Sequence, residues 1–433
     1  MADSPHHHSH SHSHGLTGGW VDWVGDPVLR LVVAGVVVAA LATLVGVVAL
    51  WPTGQGRDAA IANADEIGLV TQRLTATLQE VVDGPCSYST PDNPQECRTF
   101  TFELLEGAGV GSMVTLPEIN LEFDPRLPDL ALGDQAVLGY EESTDFYFFA
   151  DQDRRTPLLW LTGLFAVVVI ALGRFRGALA LLAMATTLLV LVGFVAPSVL
   201  DGNDPLLVAV IAAAAIAFVS LYLTHGFTPT TTVALAGTMS ALGLTLALSW
   251  VFFELARFTG VATEEALILP AITEDLNLSG LLLGGAIIGA LGALDDVTVT
   301  QVATVAELRH RSPRLPTTEL FASGIRVGRD HIASTVNTLL LAYAGASMPL
   351  LLLFAISDQS LSMVANSELI AVEIVRTLCG SIGLVAAVPI TTALAAAILR
   401  PEQDRSEPAT EPRRQRAKTN PRWEDFAPQR TEL

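Results

Sequence analysis

The chain is 433 residues long, 51% hydrophobic and 16% charged, with 44 acidic against 24 basic residues and a formal net charge of -20. A mean hydropathy of +0.48 is membrane composition, and the apolar residues gather in blocks of about 20, the length that crosses a bilayer. The acidic excess argues against a nucleic-acid partner, and no nucleophile–base pair or metal-ligand set of an intramembrane hydrolase is apparent, so an enzyme is the least favoured class and no cofactor is expected.

Residues 1–27 are polar and read as an unstructured tail. His6, His7, His8, His10, His12 and His14 alternate with serine there. Imidazoles at this density hold Zn²⁺, Ni²⁺ or Cu²⁺ loosely, whether or not the binding has a use. Residues 28–51 form a first span. It is too long for the apolar core of a signal peptide and no small-x-small cleavage site follows, so it reads as an uncleaved anchor.

Residues 52–156 are the one sizeable soluble region. Short alternating stretches at 68–82, 98–105, 111–116, 132–139 and 146–149, parted by Gly, Pro and Asp turns, predict a small β-rich domain, an OB-like barrel by preference. Cys86 and Cys97 bracket a polar, Pro-containing loop. Two readings follow, a disulfide in an oxidising compartment or two free thiols. Cys379 stands alone in an apolar block.

Seven further apolar stretches follow, at 157–173, 177–200, 205–224, 230–253, 280–301, 332–356 and 371–399. With the first they predict an all-α bundle of about eight transmembrane helices, the β domain being inserted between the first two. Residues 254–279 read as a mixed acidic loop, and 400–433 as a charged disordered tail. Arginines set the orientation. Arg174 and Arg176, the loop from Arg309 to Arg329, and the tail from Arg400 fall on one side with the N-terminus. That side is the expected cytoplasm, which puts residues 52–156 outside; Arg154 and Arg155 run against the rule.

The stretch 284–301 is apolar enough to span, yet holds Asp295 and Asp296. A carboxylate at the centre of a membrane helix costs about 2.5–3.5 kcal/mol on insertion scales, so it faces a bundle interior or a wet cavity. The alternative is that the acids lie among headgroups and end the span. Helical geometry puts Gly285, Gly289, Gly292, Asp296 and Thr300 on one stripe, with Asp295 turned off it. The GxxxG pair Gly285/Gly289 predicts that a neighbouring helix packs closely on that stripe. In the next span Asn337 and Thr338 reach a similar depth, with Gln301 nearby. Asn337 is either part of a polar layer or interhelical glue. Arg326, Arg329 and His331 are the expected charge partners of the acids. In the last span Glu373 and Arg376 are spaced to meet on one face, as an outer gate or an interfacial salt bridge, and Gly380 and Gly383 continue their stripe as packing positions.

Three stretches together, 284–301, 328–345 (from Gly328 through Arg329, His331 and Asn337), and 373–384 with Pro389 and Thr391, resemble the YibE/F-like family of bacterial multi-pass membrane proteins. The resemblance covers residues 157–399 and implies the membrane bundle, with a soluble segment before it similar to 52–156. The family's acid in the glycine-rich motif matches Asp296, whereas Asp295 stands at a position commonly apolar there. The resemblance carries no established substrate. The expected function is that of a permease-like protein of the bacterial inner membrane, passing a small solute or ion with Asp296 as the coupling or binding carboxylate. The competing class is a membrane scaffold or regulator that binds an envelope protein partner through the β domain.

Overall fold

A bilayer offers no water to backbone N–H and C=O groups, so long apolar runs must satisfy them internally as helices. The structure, a computed structural model, describes residues 27–67, 71–107, 109–120, 130–142, 144–273, 276–356 and 360–399. The His-rich segment and the tail after Leu399 lie outside the described residues. Helices α1 (Pro27–Ala49) and α2 (Gln55–Glu66) precede the β domain. After it, α3 (Arg155–Val190) continues through a π-helical turn, Leu191–Val195, into α4 (Ala196–Leu200). Then come α5 (Pro205–His225), α6 (Pro229–Ala256), α7 (Glu264–Ile272), α8 (Leu278–Arg311), α9 (Thr317–Ala346), α10 (Met348–Ile356), α11 (Leu361–Asn366) and α12 (Glu368–Ile398).

Among the described residues six helices are long and apolar enough to cross a membrane, with α3–α4 counted once; the pair α9–α10, bent by 68°, makes a seventh. The 46-residue run from Arg155 to Leu200 would reach about 69 Å if straight, over twice a hydrocarbon core of about 30 Å. It is not straight. Arg174 has φ 52°, and Gly177 rests against the Val169 carbonyl, where a Cβ would overlap it. The chain doubles back there, between the two spans expected at 157–173 and 177–200.

Local sequence explains the helix starts. Asp204 accepts a bond from the Leu207 amide (2.8 Å) ahead of Pro205, Thr228 from Thr231 (3.1 Å) ahead of Pro229, and Asn277 from Gly280 (2.9 Å), the side-chain caps that orphan helix amides require. Helix α9 starts well before the expected 332 because Leu320, Gly324 and Gly328 bury one face of its first half. The loop expected at 254–279 contains α7, and α2 was likewise not foreseen.

The helices differ in exposure. In the most apolar stretches of α8 and α12, 50% and 56% of residues are buried, against 11% in α1 and in α3–α4. So α8 and α12 form the core, and α1 and α3 the rim. Gly383 meets Thr245, and Gly237 meets Thr391, at places on the α6–α12 seam where a Cβ would overlap the threonine side chain. Gly380 makes ordinary contact with Leu339 of α9 (3.8 Å).

The β domain is one antiparallel sheet. Strands β1 (Gln72–Pro85), β2 (Glu96–Leu104), β3 (Met113–Thr115), β4 (Ile119–Asn120), β5 (Gln135–Glu141) and β6 (Phe146–Gln152) take the order β3-β2-β1-β5-β6, with β4 beside β2. The long β1 pairs with β5 through its first half and with β2 through its second, around a register shift between Leu78 and Glu80. Alternation buries Leu74, Ala76, Leu78, Phe100, Phe102, Leu104, Ala136 and Leu138 in one core. Among the described residues the strands form an open sheet, with β3 and β6 as its unpaired ends; an OB-like barrel is not seen among them. Cys86 and Cys97 are joined in a disulfide.

Two carboxylates fasten the side of the bundle that carries this domain, the domain side. Asp201, after α4, accepts bonds from the Thr53 amide and hydroxyl and from the Gly54 (3.2 Å) and Gly56 (2.8 Å) amides. Gly56 lies so close to the Leu200 carbonyl that a Cβ would overlap it. Glu368, at the start of α12, accepts from the Thr259 hydroxyl (2.9 Å) and the Gly260 amide (2.7 Å), and Gly260, with φ 89°, abuts the Leu278 backbone. Burial pushes the Asp201 carboxyl up, but the hydrogen bonds from Thr53, Gly56 and Gly54 outweigh it and hold the group below its ordinary 3.8. Its contribution is therefore complete above that value and is lost as pH falls through the lower folded-state value.

Two outcomes follow for the fold. Asp201→Ala should speed hydrogen exchange at the Gly54 and Gly56 amides at neutral pH while leaving β1 amides protected, read by exchange mass spectrometry. Replacing Cys86 and Cys97 together by alanine should destabilise the β domain by about 2–4 kcal/mol, measured by pulse proteolysis of the full chain.

Candidate functional site

Helix α8 has two unlike faces. Leu283, Ile287, Leu291, Leu294, Val297 and Val302 are buried on one, packed against α5, α6, α9 and α12. Gly285, Gly289, Gly292, Asp296 and Thr300 are exposed on the other. This reverses the packing expected from the GxxxG pair. Nothing lies within 4 Å of where a Cβ would stand on Gly285 or Gly292, and Gly289 meets only the Tyr343 hydroxyl at 3.3 Å. The bulky aliphatic face wins the interior because it removes more apolar area from contact with polar groups and packs more atoms. The glycine that does bring a helix close is Gly284, where a Cβ would lie 2.7 Å from the Ala209 Cβ of α5.

The open face forms one wall of a cavity of about 510 Å³. Gly292, Asp295, Asp296, Val299 and Thr300 come from α8, Ser220, Thr224 and His225 from α5, and Arg176 and Ala180 from α3. The two main helices run in the same direction. Gly284 lies beside Pro205 and Ala209 near their starts, and Thr300 faces the cavity with Thr224 near the end of α5. Ser220 stands five residues before the α5 terminus at His225, about 7.5 Å along the axis. The cavity therefore lies toward the far side, away from the β domain, where the Arg174 turn also lies. Nearer the domain side α5 and α8 pack closely at Gly284 and Ala209.

The two acids differ as the helical wheel requires. Asp296 is exposed to the cavity, and Asp295 is half-buried, with one carboxylate oxygen, Oδ1, sealed from solvent and lacking a hydrogen-bond partner among the described residues. One turn on, the fully buried Thr298 hydroxyl meets that of Thr238 on α6 at 2.6 Å, and lies 3.1 Å from the Asp295 carbonyl. Asp295 thus borders the α6–α8 contact and Asp296 borders the cavity. Among the described residues neither acid joins a salt bridge.

The other expected site residues lie elsewhere. Gln301 is buried in a helix seam; its amide donates to the Gly324 carbonyl (2.9 Å) and the Thr392 hydroxyl (2.7 Å), which makes it a tie between α8, α9 and α12 rather than a ligand for solute. Asn337 and Thr338 are exposed on α9, and Thr338 bonds back to the Ser334 carbonyl (3.0 Å). With Tyr343 beside Gly289 in antiparallel helices, Asn337 comes level with Asp295, but neither it nor Thr338 lines the cavity. Arg326 and Arg329 are exposed, and His331 has its Nε2 enclosed without a partner. None of the three faces the acids; Arg176 and His225 do. Glu373 and Arg376 form their ion pair at 2.8 Å. Glu373 also borders an apolar pocket of about 210 Å³ with Tyr343 and Leu351 at the α9–α10 bend.

Arg176, Ser220, Thr224 and His225 were missed as site residues. The signal was present in part, since Ser220 and Thr224 stand i, i+4 on an otherwise apolar helix. Arg309 was counted for its charge alone. The structure buries it, with Nε donating to the Leu399 carbonyl (2.8 Å) and Nη1 to that of Leu315 (2.6 Å), tying the far-side ends of α8, α9 and α12. Among the described residues no group of three or more His, Cys, Asp or Glu could hold a metal ion.

The contrast between the faces of α8 is measurable. Gln301→Leu should cost about 1–3 kcal/mol by orphaning its buried partners, whereas Thr300→Val on the cavity wall should stay within about 0.5 kcal/mol. Titration of the folded fraction against SDS in mixed micelles reads both.

A protein-family model described as YibE/F-like protein matches residues 161–401, more than half of the chain. Comparison with curated proteins and with solved structures returns no match.

Proposed function

We propose, for a chain that belongs to the YibE/F-like family, a permease-like role: it moves a small solute or ion across the bacterial inner membrane, with Asp296 as the binding or coupling carboxylate. The observation that carries this reading is the cavity near the far-side end of α5, bordered by two carboxylates that make no salt bridge among the described residues and by Arg176 and His225. A binding group in the membrane must be reachable from one side at a time, and a polar cavity placed toward one side of the bundle suits that need. Counting the doubled-back arms of α3–α4 separately and α9–α10 as one gives eight spans, both termini in the cytoplasm and the β domain outside. The far-side arginines at 174, 176, 311, 314, 326 and 329 support that orientation, as does the Cys86–Cys97 disulfide. The reading is non-enzymatic. A scaffold or regulator is favoured by one observation, the edge strand β6 with its exposed Phe146, where an envelope protein could add a strand.

Two measurements test this. A cysteine introduced at Asp134 should react with an impermeant maleimide in intact cells; reaction only after permeabilisation reverses the orientation. In an untargeted comparison of cellular solutes at matched membrane abundance, Asp296→Asn should behave as the deletion does, and Asp295→Asn should keep most of the wild-type profile. Wild-type profiles for both variants and for the deletion would leave the scaffold reading.

A further inference from the structure

We infer that the floor of the cavity is a binding site for an alkali-metal cation, held by Asp296 and Thr300 of α8 with Ser220 and Thr224 of α5. The inference rests on the permease reading for its purpose but not for its chemistry. Asp296 and Thr300 are one turn apart on one helix face, as are Ser220 and Thr224 on the other, and all four border the same cavity. Two parallel helices thus present a carboxylate and three hydroxyls to one space. Thr224 donates its proton to the Ser220 carbonyl at 2.7 Å, which leaves its oxygen lone pairs turned to other partners. Asp296 has no ion pair among the described residues, and the neighbouring Asp295 keeps one oxygen enclosed without a hydrogen bond. The site therefore holds negative charge that no protein cation neutralises at contact distance.

The donor set selects the ion. Carboxylate and hydroxyl oxygens are hard ligands, suited to alkali and alkaline-earth cations rather than to zinc or copper. The absence of a three-ligand His/Cys/Asp/Glu group among the described residues removes the usual transition-metal chelate. Arg176, with His225 beside it, stands in the same cavity and offsets part of the carboxylate field, so that the site repays less of the larger dehydration cost of a divalent ion. A volume of about 510 Å³ leaves room for an ion and several of its waters, at roughly 30 Å³ each. The ion keeps part of its hydration shell and exchanges the rest for four oxygens.

The test is equilibrium binding of ²²Na⁺ to the purified full chain in detergent, in choline chloride, by scintillation proximity. Wild type should bind saturably and be displaced by unlabelled NaCl. Asp296→Asn and Thr300→Val should each weaken binding by about tenfold or more, the loss that follows when a metal site is disturbed. Thr338→Val, on α9 outside the cavity, should bind as wild type does. Circular dichroism and gel filtration confirm that each variant is folded. No saturable binding by folded wild type, equal binding by all variants, or displacement by micromolar Zn²⁺ or Mg²⁺ but not by NaCl overturns the inference. Sodium binding with no change in cellular solutes on deletion sinks the permease reading alone. A changed solute profile without sodium binding sinks the cation site alone.

Discussion

The whole bundle depends on how α8 turns. A membrane helix with a carboxylate in it has two demands, to bury enough surface to hold its neighbours and to keep the charge in a polar setting. Helix α8 meets both by separating them around its circumference. Ile287, Leu291 and Leu294 are fully or nearly fully buried and carry the contacts with α5, α6 and α12, while Asp296 and Thr300 are left on the opposite side with only glycines above them. The small residues do not bring a neighbour in. Of these, Gly292 borders the cavity beside Asp295, Asp296, Val299 and Thr300.

The ends of the helices are fixed by bonds from charged or amide side chains to backbone. On the domain side Asp201 and Glu368 accept the amides of Gly56 and Gly260, both glycines at which any side chain would collide with backbone. On the far side Arg309 donates to the Leu399 carbonyl past the end of α12, and deeper in the bundle Gln301 donates to the Gly324 carbonyl within α9. Between them the contacts are of another kind: threonine hydroxyls against glycine or against each other, as at Thr245/Gly383 and Thr238/Thr298. Such contacts are close but carry no charge.

Much of this was legible in the amino-acid sequence, and the failures have physical causes. Span positions, the break near Arg174, the strands of the β domain and the Glu373–Arg376 pair follow from period, hydropathy and spacing. Helix α2 was invisible because its mean hydropathy is low and its alternation weak, and the first half of α9 because its buried face is made of two glycines and few large residues. The stripe on α8 was found but its direction was misread. Periodicity says which residues share a face, and only the size of the opposite face says which of the two goes inside. Gln301 reads as a ligand from its nearness to the polar layer, although its partners, the Gly324 carbonyl and Thr392, lie 23 and 91 residues away and leave no local signal. The disulfide was one of two readings of Cys86 and Cys97, since spacing alone does not say whether two thiols meet; here strand β2 returns beside the end of β1 and joins them.

The doubled-back arms of α3 have a connecting role. The first arm begins at Arg155, whose guanidinium bonds Asp153 and the Thr75 hydroxyl of β1, so the sheet is tied to the start of the arm. Its outward surface is lined with exposed Leu159, Trp160 and Leu164, and little protein restrains it. The second arm carries Arg176 and Ala180 into the cavity wall, and the two meet where Gly177 seats on the Val169 carbonyl. One continuous helical run, turned at Arg174, thereby joins the sheet on one face of the membrane to the wall of the cavity toward the other.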